Sequence, residues 1–128
     1  MPATTFLEYA RNLTDVLDTV VATGQAVLVT LQVDQRSVVR GFIAGTLQFD
    51  DECTLHFREF VDVTQAEPKI MYAYHYQDAD DNLIFRYANA AHRPTLPQPE
   101  HKHTRSAIEL VQAPTLTEVL DEILRQKA

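Results

Sequence analysis

The segment between residues 69 and 105 carries most of the side chains that could do chemistry. It holds four of the chain's five histidines, which are His75, His92, His101 and His103. Residues 82–108 contain four Lys or Arg and a single carboxylate, Glu100, for a formal charge of 4 − 1 = +3, whereas the whole chain carries −7. Imidazoles move protons near neutral pH, and a local cationic strip attracts anions. The segment therefore predicts an anion site, such as a site for phosphate.

Two predicted strands place a histidine and an arginine on one face of a hairpin. If the turn occupies residues 78–81, His75 opposes Ile84, and Arg86 lies diagonally from His75 on the same face. An arginine fork binds phosphate oxygens, and a histidine supplies or removes a proton. The pair therefore suits phosphodiester chemistry. The alternatives are a histidine that only hydrogen-bonds at the sheet surface and an arginine in an ordinary ion pair.

The residues that alternate with this pair predict an aromatic core face. They are Tyr72, Tyr74, Tyr76, Leu83, Phe85 and Tyr87. The core is the first interpretation of these side chains. The second is a platform on which bases stack, with Tyr76 as the candidate substrate-binding residue.

The triplet at residues 101–103 adds two imidazoles. In an extended segment, His101 and His103 point the same way and, with His92, are candidates for catalytic acid or base. The cationic candidates for holding a phosphate are Arg93, Lys102 and Arg105. Three histidine nitrogens could instead bind zinc, or the segment could be a solvated loop.

Glu59 is a separate catalytic candidate. It shares the alternation of Leu55, Phe57, Val61 and Val63, and a carboxylate on an apolar face is unfavourable unless it is paired. Glu59 is therefore predicted to be a general base or the partner of an arginine or a tyrosine hydroxyl. The alternative is a strand end where the carboxylate reaches water.

The composition bounds the class of protein. A chain of 128 residues with 45% hydrophobic residues predicts a single domain over residues 1–128. The single cysteine excludes an internal disulfide, and no phosphate-binding glycine loop or other cofactor motif is present. No apolar run approaches the ~20 residues of a membrane span, and no secretory signal is seen, so a cytoplasmic location is expected. The acidic net charge argues against broad nonspecific nucleic-acid binding but permits a local basic groove.

The hydrophobic periodicity predicts an α+β fold. Residues 5–22 and 115–126 read as amphipathic helices, each opened by a threonine–glutamate capping box. Between them the period changes to two, and the short connections favour antiparallel hairpins. We therefore expect an antiparallel meander of five to six strands packed by the two helices, with residues 88–105 as a long irregular loop. Gly41 and Gly45 suggest strong twist, a bulge or the close approach of another segment.

A set of motifs resembles a known family. They are YAYHYQDAD at residues 72–80, LIFRY at 83–87, Asn89-Ala90, His92, Pro94 and HKH at 101–103. This combination is similar to the TumE-like toxins, which are small bacterial and archaeal proteins of type II toxin–antitoxin operons. The resemblance is most specific over residues 72–103, and the layout of the whole chain fits it too.

The resemblance implies a function and a partner. The expected function is growth inhibition through RNA or translation, by a metal-independent endoribonuclease or another translation inhibitor. The expected partner is an antitoxin with a helix-turn-helix domain, and RNA or the ribosome is the expected target. An exposed sheet edge would also permit a homodimer.

The chain departs from the family pattern at four positions. These are Ala88, Ala91, Arg93 and Glu100, where the pattern has acidic, proline, histidine or aromatic residues. The alternative function is therefore a non-enzymatic binding module, a degenerate toxin that docks a partner protein or an anionic ligand.

Overall fold

The computed structural model describes residues 3–89 and 100–127. Within them lie two helices and seven strands. In chain order these are α1 (Phe6–Ala22), β1 (Ala26–Gln35), β2 (Arg40–Phe49), β3 (Thr54–Asp62), β4 (Lys69–Gln77), β5 (Leu83–Ala88), β6 (His101–Thr104), β7 (Ile108–Leu110) and α2 (Leu116–Lys127).

The strands form one antiparallel sheet in the order β1-β2-β3-β4-β5-β6-β7. Each strand pairs with its neighbour in the chain, as the short connections predicted, and the α+β meander is confirmed. The sheet has one strand more than expected. The sixth strand, which alternation predicts over residues 106–111, is seen as β7. The additional strand is β6, His101–Thr104, which the sequence assigned to a loop.

Side-chain capping fixes where the two helices begin. The hydroxyl of Thr5 accepts a hydrogen bond from the backbone N–H of Glu8 at 3.2 Å. Thr115 and Glu118 form a reciprocal capping box, with N–H to side-chain distances of 3.1 and 3.0 Å. Both caps were predicted from the sequence. No helix in the described parts of the chain is long and apolar enough to cross a membrane.

Both helices pack against the same face of the sheet. On this face Phe6 of α1 lies against Gly41, and Glu122 of α2 accepts a hydrogen bond from Tyr87 at 2.5 Å. The predicted close approach at Gly41 is confirmed by that contact. The core lies between this face and the helices, and its fully buried members include Tyr72, Tyr74, Phe85, Leu47, Leu55 and Ile123. The opposite face carries no helix in the described residues, and it is called here the open face.

Candidate functional site

Strand register aligns a row of histidines and an arginine across the open face. Direct cross-strand partners run from β1 to β7 in a single line. The line is Thr30, Thr46, His56, His75, Arg86, His103 and Ile108, and it is called here the histidine row. Adjacent strands lie ~4.8 Å apart, so neighbours in the row are close enough to act on one ligand.

His75 and Arg86 are direct partners in this row. The predicted diagonal placement of the pair is therefore wrong, although the predicted shared face is right. Gln77 pairs with Leu83, so the turn is one residue longer than expected, and a bulge then separates that pair from Tyr76 and Phe85. Two shifts of one residue move the register by two, and the alternation of faces is preserved.

The environment of His75 favours its neutral form. Its Nδ1 lies 3.3 Å from Nη1 of Arg86, and its Nε2 lies 3.1 Å from Oε1 of Gln77. Burial lowers the pKa of His75 below its usual 6.5, and the charge of Arg86 lowers that pKa further, while the hydrogen bond to Gln77 acts in the opposite direction. A histidine that is neutral near pH 7 can accept a proton.

His56 and Arg58 join this site, although the sequence analysis missed them. The rings of His56 and His75 lie 6.3 Å apart between centroids, and Nδ1 of His56 lies 3.1 Å from the hydroxyl of Thr46. Burial lowers the pKa of Arg86, and the charge of the nearby Arg58 lowers that pKa further. The alternation of β3 carried the signal, since both residues fall between its buried positions.

No carboxylate in the described parts of the chain neutralises either arginine of the site. Within residues 3–89 and 100–127, Arg58 and Arg86 form no ion pair. Two uncompensated guanidiniums on one face of a chain with net charge −7 favour the binding of an anion. The anion site expected from the cationic segment stays a prediction, and Arg58 lies outside that segment.

A groove of about 580 Å³ runs over these residues on the open face. Its lining includes Phe42, Arg58, His75 and Arg86, with His56 and Thr46 beside them. The volume is within the ~300–1,000 Å³ range of small-ligand pockets. The groove could therefore hold a phosphate group together with part of the molecule that carries it.

His101 and His103 lie on the open face in β6, and not in a loop. Their rings are 4.8 Å apart between centroids, as the predicted common direction of the two side chains requires. His103 is the direct partner of Arg86, whereas His101 pairs with Ala88 and is only 3% exposed. The remaining histidine and arginine candidates of the segment, His92 and Arg93, lie outside the described residues.

Lys102 and Arg105 are placed away from the histidine row. Lys102 points to the helix side, where its Nζ lies 2.9 Å from a carboxylate oxygen of Glu122 and above the rings of Phe85 and Tyr87. Arg105 donates to the backbone carbonyl of Leu83 at 2.8 Å and pairs with Asp78 at 2.7 Å. The expectation that these cations meet the histidines is therefore corrected: Lys102 anchors α2, and Arg105 holds the turn between β4 and β5.

Tyr76 is a core residue. It is 3% exposed and packs edge-on against Phe49, with ring centroids 5.8 Å apart. A ring with so little exposure offers no face to a base, so the substrate-binding expectation for Tyr76 is corrected. Tyr76 belongs instead to the aromatic core face that the alternation of β4 and β5 predicted.

Glu59 lies at the centre of a buried network beneath α1. It is 1% exposed and accepts hydrogen bonds from the hydroxyls of Tyr9 and Tyr74. Lys69 donates to the Tyr74 hydroxyl at 2.8 Å and to the backbone carbonyl of Pro114. Burial and the neighbouring carboxylate hold the pKa of both tyrosines above the ordinary range, so they remain donors. The predicted tyrosine partnership of Glu59 is thus seen, on the face opposite to the histidine row.

No group of three His, Cys, Asp or Glu side chains in the described residues is arranged to hold a metal ion.

Comparison with known proteins gives the family. A search of curated proteins and a search of solved structures each found no match. The family model described as Toxin TumE matches residues 13–127, which is nearly the whole chain and includes every strand of the sheet. The protein therefore belongs to the TumE toxin family, whose name makes it the toxin component of a pair with an antitoxin.

Proposed function

We propose that this toxin is an endoribonuclease that cleaves RNA by acid–base catalysis on its open face. The observation that carries the proposal is the histidine row, in which Arg86 lies between His75 and His103 as the direct partner of each. A phosphate held by Arg86 would have one imidazole on each side. RNA cleavage needs that set of groups: a base, an acid and a cation on the phosphate.

The reaction balances with these side chains. Neutral His75 removes the proton of the ribose 2′-hydroxyl, and the 2′-oxygen forms a bond to the adjacent phosphorus. The bond from phosphorus to the 5′-oxygen breaks as His103, in its protonated form, donates a proton to that oxygen. The products are a 2′,3′-cyclic phosphate and a free 5′-hydroxyl. Arg86 and Arg58 stabilise the negative charge that grows on the phosphoryl oxygens.

Purified protein incubated with single-stranded RNA in EDTA tests the proposal. The nucleophile is the substrate's own hydroxyl, so we expect cleavage to continue in the chelator and to leave cyclic-phosphate ends. His75→Ala and Arg86→Ala should each lower the rate by about 10²-fold or more while leaving the circular dichroism spectrum unchanged. Arg125→Ala is the matched control, because Arg125 lies in α2 on the helix side of the sheet, where its Nε donates to the backbone carbonyl of Asp121 at 3.3 Å.

Full activity in both His75→Ala and Arg86→Ala would reject this site. The same assay tests the second candidate function, a degenerate toxin that binds without cleaving. Ala88 favours the binding-only candidate. It is buried on the open face and pairs with His101. At the position of Ala88 the family pattern has an acidic residue, which this chain lacks. Folded wild-type protein that binds RNA and never cleaves it would establish the binding module instead.

The proposed antitoxin is a protein with a helix-turn-helix domain that covers the open face. The support is electrostatic, since an acidic segment would be attracted to Arg58 and Arg86. Induction of this gene alone, in the cytoplasm of a bacterial host, should arrest growth, and co-expression of the adjacent antitoxin gene should restore it. Growth arrest that persists with every adjacent gene would contradict this partner.

A further inference from the structure

Two phenylalanines lie beside the cationic groups of the open face. Phe42 and Phe60 are direct cross-strand partners on β2 and β3, and both are partly exposed. Met71, which is 50% exposed, is the next partner in the same line on β4. These residues form an apolar, partly aromatic surface on the sheet face that carries no helix within residues 3–89 and 100–127. Phe42 and Phe60 are called here the phenylalanine pair.

The phenylalanine pair is continuous with the histidine row. The groove that contains Arg58, His75 and Arg86 also contains Phe42. Between the two lines of residues lies a third, in which Ala44 and Ala73 flank Arg58. Alanine side chains are too small to close the passage, so the floor of the groove stays open between the cations and the aromatic rings.

The geometry points to single-stranded RNA as the substrate class, with a base stacked on the phenylalanine pair, and this inference rests on the proposed ribonuclease function. Phe42 precedes Thr46 of the histidine row by four positions in β2, which is ~13 Å of strand. That span exceeds one nucleotide, so the stacked base would belong to a nucleotide beyond the scissile phosphate. Arg58, which lies between the two lines, would contact the phosphate that joins them.

The chemistry favours a single strand over a duplex. Unpaired bases can turn onto an aromatic ring, whereas the bases of an A-form helix are paired and hidden in its grooves. Stacking is also tolerant of sequence, because each base has a flat π-face. Among the residues that the structure describes in register with Phe42, the carboxylate is Asp34, which is paired with Arg36 at 3.0 Å and so repels a phosphate less.

Binding to an uncleavable oligonucleotide tests the inference separately from catalysis. The probe is a fluorescent single-stranded RNA of mixed sequence with 2′-O-methyl riboses, measured by anisotropy against the full chain. We expect Phe42→Ala and Phe60→Ala each to weaken its binding by about 5- to 100-fold, the equivalent of one lost base stack. Phe42→Trp should restore binding. Val27→Ala is the control, since Val27 is an exposed apolar residue, 63% accessible, that does not line the groove.

The outcomes separate this inference from the proposed function. Phenylalanine-dependent binding of the single strand by a protein that never cleaves RNA would keep the inference about binding and reject the ribonuclease. Cleavage that needs His75, with unchanged binding in both phenylalanine variants, would overturn the inference alone. Equal affinity for a duplex of the same sequence would overturn it too. The inference would also be overturned if the phenylalanine variants bound RNA normally and failed only to bind the antitoxin, since the pair would then be a protein-docking surface.

Discussion

Arg86 Nη1 lies 3.3 Å from His75 Nδ1, and this contact fixes which ring nitrogen of His75 carries the proton. A guanidinium has donors and no acceptor, so Nδ1 must accept. The proton of the neutral ring is then on Nε2, which donates to Oε1 of Gln77 at 3.1 Å. The basic lone pair of His75 therefore points to the place where Arg86 would hold a phosphate. When a ligand accepts the hydrogen bond that Arg86 donates to His75, Nδ1 of His75 becomes free to accept a proton.

The pKa of His75 should respond with opposite signs to its two partners. We expect a value below 6.5 in the wild type, because burial and then the charge of Arg86 disfavour the imidazolium. Arg86→Gln removes that charge and should raise the pKa. Gln77→Ala removes a hydrogen bond that favours the charged form and should lower it. NMR titration of isotopically labelled histidines measures all three values without any need for activity.

In the proposed cleavage reaction, the pKa of His75 should also set the acid limb of the pH–rate profile. A base must be deprotonated to act, so kcat/KM should fall as the pH decreases through the His75 pKa, at a point below pH 6.5. Arg36→Gln should leave both the titration and this limb unchanged. A wild-type His75 that titrates at or above pH 6.5 would contradict the lowered pKa.

We expect Arg58, on the open face, to affect activity, and Lys102, on the helix side, to affect stability. Arg58→Gln removes an unpaired guanidinium from the groove and should lower kcat/KM by about 10- to 100-fold, the effect of one lost charge-assisted hydrogen bond. Lys102→Gln breaks the largely buried pair with Glu122 on the helix side. It should reduce the free energy of unfolding by ~1 kcal/mol and leave kcat/KM unchanged.

Urea denaturation and a steady-state cleavage assay of the two purified variants check this prediction. If the site lies on the open face, Arg58→Gln must lower the cleavage rate and Lys102→Gln must not. Loss of cleavage in stable, folded Lys102→Gln would move the site to the helix side.

Sequence reasoning reached the elements of this fold because their signals are local. The capping boxes at Thr5 and Thr115 lie within one helical turn, and alternation alone assigned His75 and Arg86 to one face. Alternation also held the answer for Lys102, since it lies between His101 and His103 and an extended segment must send it to the opposite face. The count of cationic residues along residues 82–108 did not distinguish the two faces, because a count takes no account of the side to which each side chain points.

The missed features depend on contacts that are distant in sequence. β6 exists because its backbone pairs with β5, and no period is readable in the four residues of His101–Thr104. The direct opposition of His75 and Arg86 needs a bulge and a turn in which Asp81 adopts a φ of 65°. Neither has a glycine to mark it. His56 could have been found from the alternation of β3, but its partnership with His75 required the register.

Glu59 should affect stability more than chemistry. Glu59→Ala leaves two tyrosine hydroxyls without their acceptor and Lys69 without its nearby negative charge, so we expect the free energy of unfolding to fall by ~3 kcal/mol. Glu59→Gln keeps one acceptor oxygen, so it should lower the free energy of unfolding by less than Glu59→Ala does. Under conditions where Glu59→Gln is fully folded by urea titration, its kcat/KM should equal that of the wild type. A folded Glu59→Gln without activity would return this carboxylate to the catalytic machinery.

Gly45 is required by packing on both sides of β2. A Cβ at this position would lie 2.6 Å from the ring of Phe57 and 2.9 Å from the backbone carbonyl of Thr30. The ring is buried and the carbonyl belongs to the neighbouring strand, so neither can move without disturbing the sheet. Gly45→Ala should therefore lower the free energy of unfolding by ~1–3 kcal/mol. Gln48→Ala, an exposed position on the same strand, should change it little, and thermal or urea unfolding compares the two variants. Equal stability of both variants would mean that β1 and β2 can separate at the bulge near Thr30, and that the groove wall there is not rigid.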